Sequence, residues 1–273
     1  METQAAVPQW EVLAIRYAER DARRTANFVG GDPHDAPMPM AYYLWLLRSG
    51  GRTIVVDTGF GQDMAVKRGR RLLHHPAAAL AAVGVDAARV ENVIVTHLHN
   101  DHIGCFDAFG AARFHLQDAE MRFATGRCMG CEPFRRAYEP DHVTSLVRLV
   151  FDGRVVFHDG DAQVAPGVSV HRLGGHTDGL QVVRVMTARG AVVLASDASH
   201  YYEHMQTGRV FPLVFHLGDV IAGYRRMREL ASSPEHLVPG HDPLVMQRYP
   251  AEPGHEGLAV RLDLVPLAPA SDS

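Results

Sequence analysis

Cysteine is scarce in this chain. Cys105, Cys128 and Cys131 are an odd and small set, which supplies no disulfide framework and fits a reducing compartment. No apolar run approaches the roughly 20 residues that a membrane span needs, so no membrane partner is expected. Met1–Trp10 lacks the basic start and apolar stretch of a signal peptide, and the expected location is cytoplasmic. Neither sign of charge dominates: the net charge of −4 offers no electrostatic reason for a nucleic-acid partner. No repeat, low-complexity tract or linker interrupts the chain. One domain over residues 1–273 is therefore expected, with a tail fraying after about Val265 (Pro266, Ala268, Pro269, Ala270 and Ser271).

Apolar side chains make up 47% of the sequence, enough for a substantial core at this length. Short apolar runs predict strands at Trp10–Tyr17, Tyr42–Leu47, Thr53–Val56, Val93–Val95, Val155–Phe157, Val168–Val170, Val182–Met186 and Ala191–Ala195. Continuous runs of this kind suit strands buried on both faces. Helices are predicted at Pro76–Val83, Gln117–Phe123, His142–Leu149 and Val220–Ala231, the last with Asp219 as its cap. Strands with interspersed helices make a layered α/β protein.

Histidine is abundant, with 17 residues, and spacing decides what that means. Thr96-His97-Leu98-His99-Asn100-Asp101-His102 follows the apolar run Val93–Val95, so potential ligands cluster where a strand releases a loop. Neutral imidazole and carboxylate together suit zinc and similar borderline ions. His97 and His99 alternate along extended backbone and can face one metal, while Asp101 and His102 can reach a second. Three further candidates stand in matching contexts, each next to glycine or a small residue after an apolar run. They are His176 in Gly174-Gly175-His176-Thr177, Asp197 in Ala195-Ser196-Asp197, and His241 in Pro239-Gly240-His241-Asp242.

In these residues the sequence resembles the metallo-β-lactamase superfamily: H-x-H-x-D-H matches 97–102, and the later His, Asp and His match His176, Asp197 and His241. Asp57-Thr58-Gly59 looks like a further family feature. The resemblance implies a four-layer αβ/βα sandwich with two divalent metals at one edge, zinc being the expected pair and iron, manganese or cobalt also accepted by such ligands. It implies that His97, His99 and His176 hold the first metal, that Asp101, His102 and His241 hold the second, and that Asp197 bridges them. Asp57 would orient a ligand rather than serve as one.

Within the superfamily the chain looks most like the N-acyl-homoserine lactonases, which implies a quorum-quenching lactone hydrolase and, by the same resemblance, a homodimer. Two metals so placed would share an attacking hydroxide and polarise a carbonyl. Asp101 or Asp197 would manage the hydroxide's proton. One departure concerns the substrate: these lactonases carry a tyrosine three residues after the bridging aspartate, where this chain has His200, followed by Tyr201 and Tyr202. Either His200 or Tyr201 would then stabilise the oxyanion or protonate the leaving group. Met38, Met40 and Tyr42, and Met205, Phe211 and Phe215, are candidates for an apolar substrate wall, or for ordinary packing. The alternatives to a lactone are another carboxylic ester, a cyclic amide or a thioester, and from a different class a non-hydrolytic metal or redox protein. Cys128-x-x-Cys131 is read as two ordinary thiols, Cys105 as packing, and His74-His75 as a helix cap or exposed pair. His115, His142, His158, His171, His204, His216, His236 and His255 are read as structural.

Overall fold

The alternation of apolar side chains along two long strands, β1 (Glu11–Arg20) and β2 (Met40–Ser49), builds two cores at once. Successive side chains on a strand point to opposite faces. Val12, Ala14, Tyr43, Trp45 and Leu47 therefore enter one core, and Leu13, Ile15, Tyr17, Tyr42, Leu44 and Leu46 the other. The protein was described by a computed structural model covering residues 7–268. The expectations for the chain before Val7 and for Pro269, Ala270 and Ser271 lie outside these described residues.

The first sheet runs in the order β13 (Ala259–Arg261), β1, β2, β3 (Arg52–Val56), β5 (Asn92–Ile94), β6 (Arg113–Gln117) and β7 (Val155–His158), with β4 (Arg71–Leu72) paired to β1. Strands β3, β5, β6 and β7 are mutually parallel. The second sheet runs β12 (Leu237–Val238), β11 (Gly190–Leu194), β10 (Gln181–Thr187), β9 (Val168–Arg172) and β8 (Ala162–Ala165). It is antiparallel except for the parallel pair β11–β12. The helices are α1 (Arg24–Asn27), α2 (Gln62–Lys67), α3 (Pro76–Ala82), α4 (Asp118–Ala124), α5 (Glu132–Arg135), α6 (Pro140–Phe151), α7 (Tyr202–Thr207), α8 (Leu217–Leu230) and α9 (Val245–Arg248). Ala65 of α2, Ala79 and Leu80 of α3 and Leu146 of α6 close the outer face of the first sheet. Val220, Tyr224 and Met227 of α8 pack into the core that holds the second sheet. Helices, two mixed sheets and helices give the αβ/βα layering expected from the sequence. No helix among the described residues is long and apolar enough to cross a membrane.

Each predicted strand is found within one to three residues of its expected ends, but several elements carry no readable period. Strand β6 contains His115 and Gln117, both buried and both polar. Their partners lie on neighbouring segments: His115 bonds His158 and Asn92, and Gln117 bonds Gln181 and the carbonyl of Gly160. This also moves the expected start of a helix at Gln117 one residue on, to Asp118. Asp219 is not the cap of α8. His216 occupies that position, and its Nδ1 accepts from the Asp219 N–H at 3.2 Å. His75 does cap α3, accepting from the Ala77 N–H. In the tail, the Leu267 N–H donates to the Arg248 carbonyl at 2.7 Å.

Candidate metal centre

The site residues sit just past the carboxyl ends of β3, β5, β9, β11 and β12, on one edge of the two sheets. Ligands in open α/β sheets commonly bind there, because parallel strands release their loops on the same side. Two non-glycine residues with positive φ mark this edge: Asp57 (φ 63°) after β3 and Ser196 (φ 45°) after β11. Such a backbone costs on the order of 1–3 kcal/mol and persists only where its surroundings hold it. Asp57 is held by Thr96, whose N–H and Oγ1 donate to its two oxygens at 2.8 and 2.9 Å. The turn at Ser196 places Asp197 directly against Gly240, where any Cβ would lie 2.5 Å from the Ser196 carbonyl oxygen. Glycine is therefore required immediately before His241.

The outward-facing nitrogens decide which way the inward lone pairs point. His102 Nδ1 lies 2.7 Å from Asp57 Oδ2, His176 Nδ1 2.7 Å from the Leu213 carbonyl, and His241 Nδ1 2.8 Å from the Ala41 carbonyl. Carbonyls and carboxylates only accept, so each Nδ1 carries the proton and each Nε2 presents a lone pair. Thr96 Oγ1 gives its proton to Asp57 and so accepts from His97 Nδ1 at 3.2 Å. His97 Nε2, His176 Nε2 and His99 Nδ1 converge, with His99 3.0 and 2.9 Å from the other two. Burial, reinforced by the neighbouring imidazoles, holds His97 and His99 well below the usual histidine pKa.

Asp197 stands between two nitrogen sets. Its Oδ2 is 3.2 Å from His176 Nε2 and 3.8 Å from His97 Nε2, and its Oδ1 is 3.0 Å from His241 Nε2 and 3.3 Å from His102 Nε2. Asp101 Oδ2 completes the second set, 3.9 Å from both His102 and His241. His102 Nε2 and Asp197 Oδ1 are buried and have no hydrogen-bond partner. Imidazole nitrogens and carboxylate oxygens packed this closely around two centres fit divalent cations, and this donor set suits a dinuclear site.

Sequence reasoning missed the residue that ties the two ligand loops together. Glu120, on α4, is fully buried and accepts from the N–H groups of Leu98 and Gly179, the Thr177 hydroxyl and the Tyr138 hydroxyl. Burial raises its pKa, and these four donors pull against that. Tyr138 in turn lies edge-on to His99, with ring centroids 4.6 Å apart. A glutamate on a short helix carries no motif, and only the fold reveals its partners.

His200 faces the cluster. Its Nε2 is 3.1 Å from Asp197 Oδ2, and its ring stacks on Phe211 at 3.7 Å. Burial pushes its pKa down to about 3 against the pull of Asp197. Tyr201 is turned away: its hydroxyl takes a bond from Asn27 and donates to the carbonyls of Met38 and Pro39. The candidate catalytic role of Tyr201 thus loses its geometric basis. Tyr202 also lies in the core.

The cavity above the cluster, about 380 Å³, is not the apolar pocket that the sequence suggested. Met40, Tyr42 and Phe211 do line it, but Arg20, Arg68, Arg70 and Arg136 line it as well. Met205 is buried in a core, and Phe215 packs on Phe123 and Phe134. Arg70 stands over the rings of Tyr42 and Phe60, reaches Asn100 Oδ1 at 2.8 Å and lies 3.5 Å from Asp101. The run Lys67-Arg68-Gly69-Arg70-Arg71 was the available signal for the Arg68 and Arg70 part of this wall, masked by an overall net charge of −4. Away from the site, Cys105 is buried with its thiol pushed up to about 12, and Cys131 is exposed. His115 and His158 stack on each other, and His204 bonds the Asn27 carbonyl, as structural residues would.

A family model described as the metallo-beta-lactamase superfamily matches residues 39–241. An N-acyl homoserine lactonase from Bacillus cereus is 26% identical over 165 residues, a match spanning 60% of this chain and 60% of that protein. A protein named "Probable metallo-hydrolase" from Mycobacterium tuberculosis is 27% identical over 221 residues, 74% of this chain and 71% of the relative. A solved N-acyl homoserine lactone hydrolase with N-hexanoyl-L-homoserine at its catalytic metal centre superposes with a TM-score of 0.70. The two are 21% identical, and the match covers 88% of this chain and 96% of the other. By the family match and by its fold, this chain belongs to the metallo-β-lactamase superfamily.

Proposed function

We propose that this metal-dependent hydrolase opens a lactone, with an N-acyl-homoserine lactone the first candidate, at a pair of zinc ions. The observation that carries the proposal is Asp197, whose two oxygens face two separate sets of imidazoles. His97, His99 and His176 would hold one ion, and Asp101, His102 and His241 the other. The pair would supply Lewis-acid polarisation of a carbonyl and a water acidified to near neutrality.

The chain's own part is positioning and proton handling. Asp57 keeps the His102 Nδ1 protonated and its ring oriented. Asp101 and Asp197 are the carboxylates placed to take a proton from a nucleophilic water. His200 Nε2 stands at the junction of cluster and cavity, where it can donate to the carbonyl or leaving-group oxygen. Similarity to a lactonase supports the choice of a lactone, and the ligand set serves equally for a linear ester, a cyclic amide or a thioester.

The test is proton release by the zinc-loaded protein in weak buffer at neutral pH. The panel holds short- and long-chain acyl-homoserine lactones, an aromatic lactone, a linear ester and a β-lactam. Rapid opening of the homoserine lactones, lost in His97→Ala, is the expected result. Turnover of the linear ester or aromatic lactone alone would retain hydrolysis and move the substrate. Silence across the panel with two metals bound would overturn the proposal, and an absorbance spectrum of the protein as isolated, before zinc loading, would then separate zinc from a redox di-iron site.

A further inference from the structure

Four guanidiniums line the cavity above the metal cluster, and they are not equally occupied. Arg68 is paired with Glu139 and donates to the Arg136 carbonyl. Arg70 is engaged by Asn100 and Asp101. Arg20 and Arg136 have no carboxylate within ion-pair distance among the described residues. Arg20 closes β1 opposite Met40, and its one side-chain hydrogen bond goes to the Met40 thioether sulfur at 2.8 Å. Its Nε is buried with no partner. Met40 adjoins Ala41, whose carbonyl holds His241, so this cation stands within two residues of the support of the metal cluster. Arg136 lines the same cavity and is exposed.

Arginine neither deprotonates nor ligates a metal. Unpaired guanidiniums beside a site built for dications repel it, unless an anion shares the cavity. Their planar forks match the two oxygens of a carboxylate or the oxygens of a phosphate. We infer that the substrate carries an anionic oxygen group, carboxylate or phosphate, on the part remote from the scissile carbonyl, and that Arg20 and Arg136 bind it. Arg68 and Arg70 add to the same cationic wall. This rests on the hydrolase reading and not on the choice of a lactone: within whichever ester or lactone class is opened, the member with a remote anionic group is preferred to its neutral analogue.

The test compares 4-nitrophenyl esters of equal chain length: the monoester of glutaric acid, the phosphonate analogue of that monoester, and the neutral pentanoate. Zinc-loaded wild type and R20Q/R136Q would be used, with metal content and Tm recorded for both. The expected result is a kcat/KM at least about tenfold higher for one of the charged esters than for the neutral one. That ratio should fall about tenfold or more in the double variant, through KM rather than kcat. The better charged ester identifies the anion. A ratio near one in wild type, or a ratio unchanged by the double variant, would overturn the inference.

A second readout stands apart from turnover, so that failure of the hydrolase reading is seen separately. Calorimetric binding of glutarate, and of the matching phosphonate, to the zinc-loaded protein is compared with binding of dimethyl glutarate. Preference for an anion that weakens about tenfold in R20Q/R136Q supports the arginine site even if no ester is cleaved. Equal binding by wild type and variant places the anion on the metals alone and overturns the inference.

Discussion

On the floor of the cavity nearly every inward-facing ring has a partner behind it, whereas two guanidiniums of the wall have no counter-ion among the described residues. His102, His176 and His241 each rest on an acceptor, and Asp57 is itself gripped by Thr96. Arg20 and Arg136 line the cavity with no carboxylate within ion-pair distance among the described residues. The difference teaches where the molecule is finished and where it awaits something. A metal site needs rigid donors, because ligand geometry must be preset. A substrate-binding wall stays unsatisfied until its ligand arrives.

The largest effect expected on this contrast comes from removing the charge that joins the two nitrogen sets. Asp197→Asn should lower the zinc content measured by mass spectrometry and reduce turnover by about 10²- to 10³-fold. Full metal content with near wild-type turnover would mean that Asp197 does not bridge. Asp57→Asn tests the support behind the floor. Asparagine tolerates the positive φ and keeps the shape, so the charge is isolated. Zinc affinity by competition with a chromophoric chelator should weaken about 10–100-fold, and an unchanged affinity would make Asp57 a backbone residue only.

Smaller changes separate holding from chemistry. Glu120→Gln replaces an acceptor-only group with one that also donates, leaving at least one buried donor without its partner. A loss of about 2 kcal/mol is expected, seen as a Tm lower by roughly 4–8 °C. A Tm within a degree of wild type would deny Glu120 its role in joining the two loops. Tyr201→Phe should have the smallest effect. The hydroxyl's bonds to Asn27, Met38 and Pro39 would be lost, at about 1 kcal/mol, while kcat on the best panel substrate stays within about twofold and His200→Ala falls further. A collapse of kcat in Tyr201→Phe, with Tm little changed, would return the tyrosine to the chemistry.

The floor is readable in the sequence because its residue types are rare, clustered and placed at the ends of β-branched runs. His97, His99, Asp101 and His102 share one loop, and His176, Asp197 and His241 each follow an apolar stretch. The layering was readable for a similar reason: β1, β2, β10 and β11 are runs long enough to show their period. Strand β13 has three residues and pairs with β1 across most of the chain length, and β6 breaks its pattern with buried His115 and Gln117. Their stability comes from partners far away in sequence, which no local window contains.

The choice between His200 and Tyr201 shows the limit most directly. Both stand next to each other after Asp197, and nothing in their types decides which one faces the site. The backbone after the strained Ser196 turn does, sending His200 towards Asp197 and Tyr201 towards Met38 and Pro39. The cavity wall is similar: Arg20, Arg68, Arg70 and Arg136 come from β1, the segment between α2 and β4, and the end of α5, and only folding collects them. By itself the sequence determined which histidines and aspartates cluster and the layered fold, because rare residue types at strand ends and buried strands are written as local pattern. The tertiary structure alone decided the charge of the cavity, the residue beside Asp197 and the glutamate that binds the loops together, because each depends on contacts between segments that sequence keeps apart.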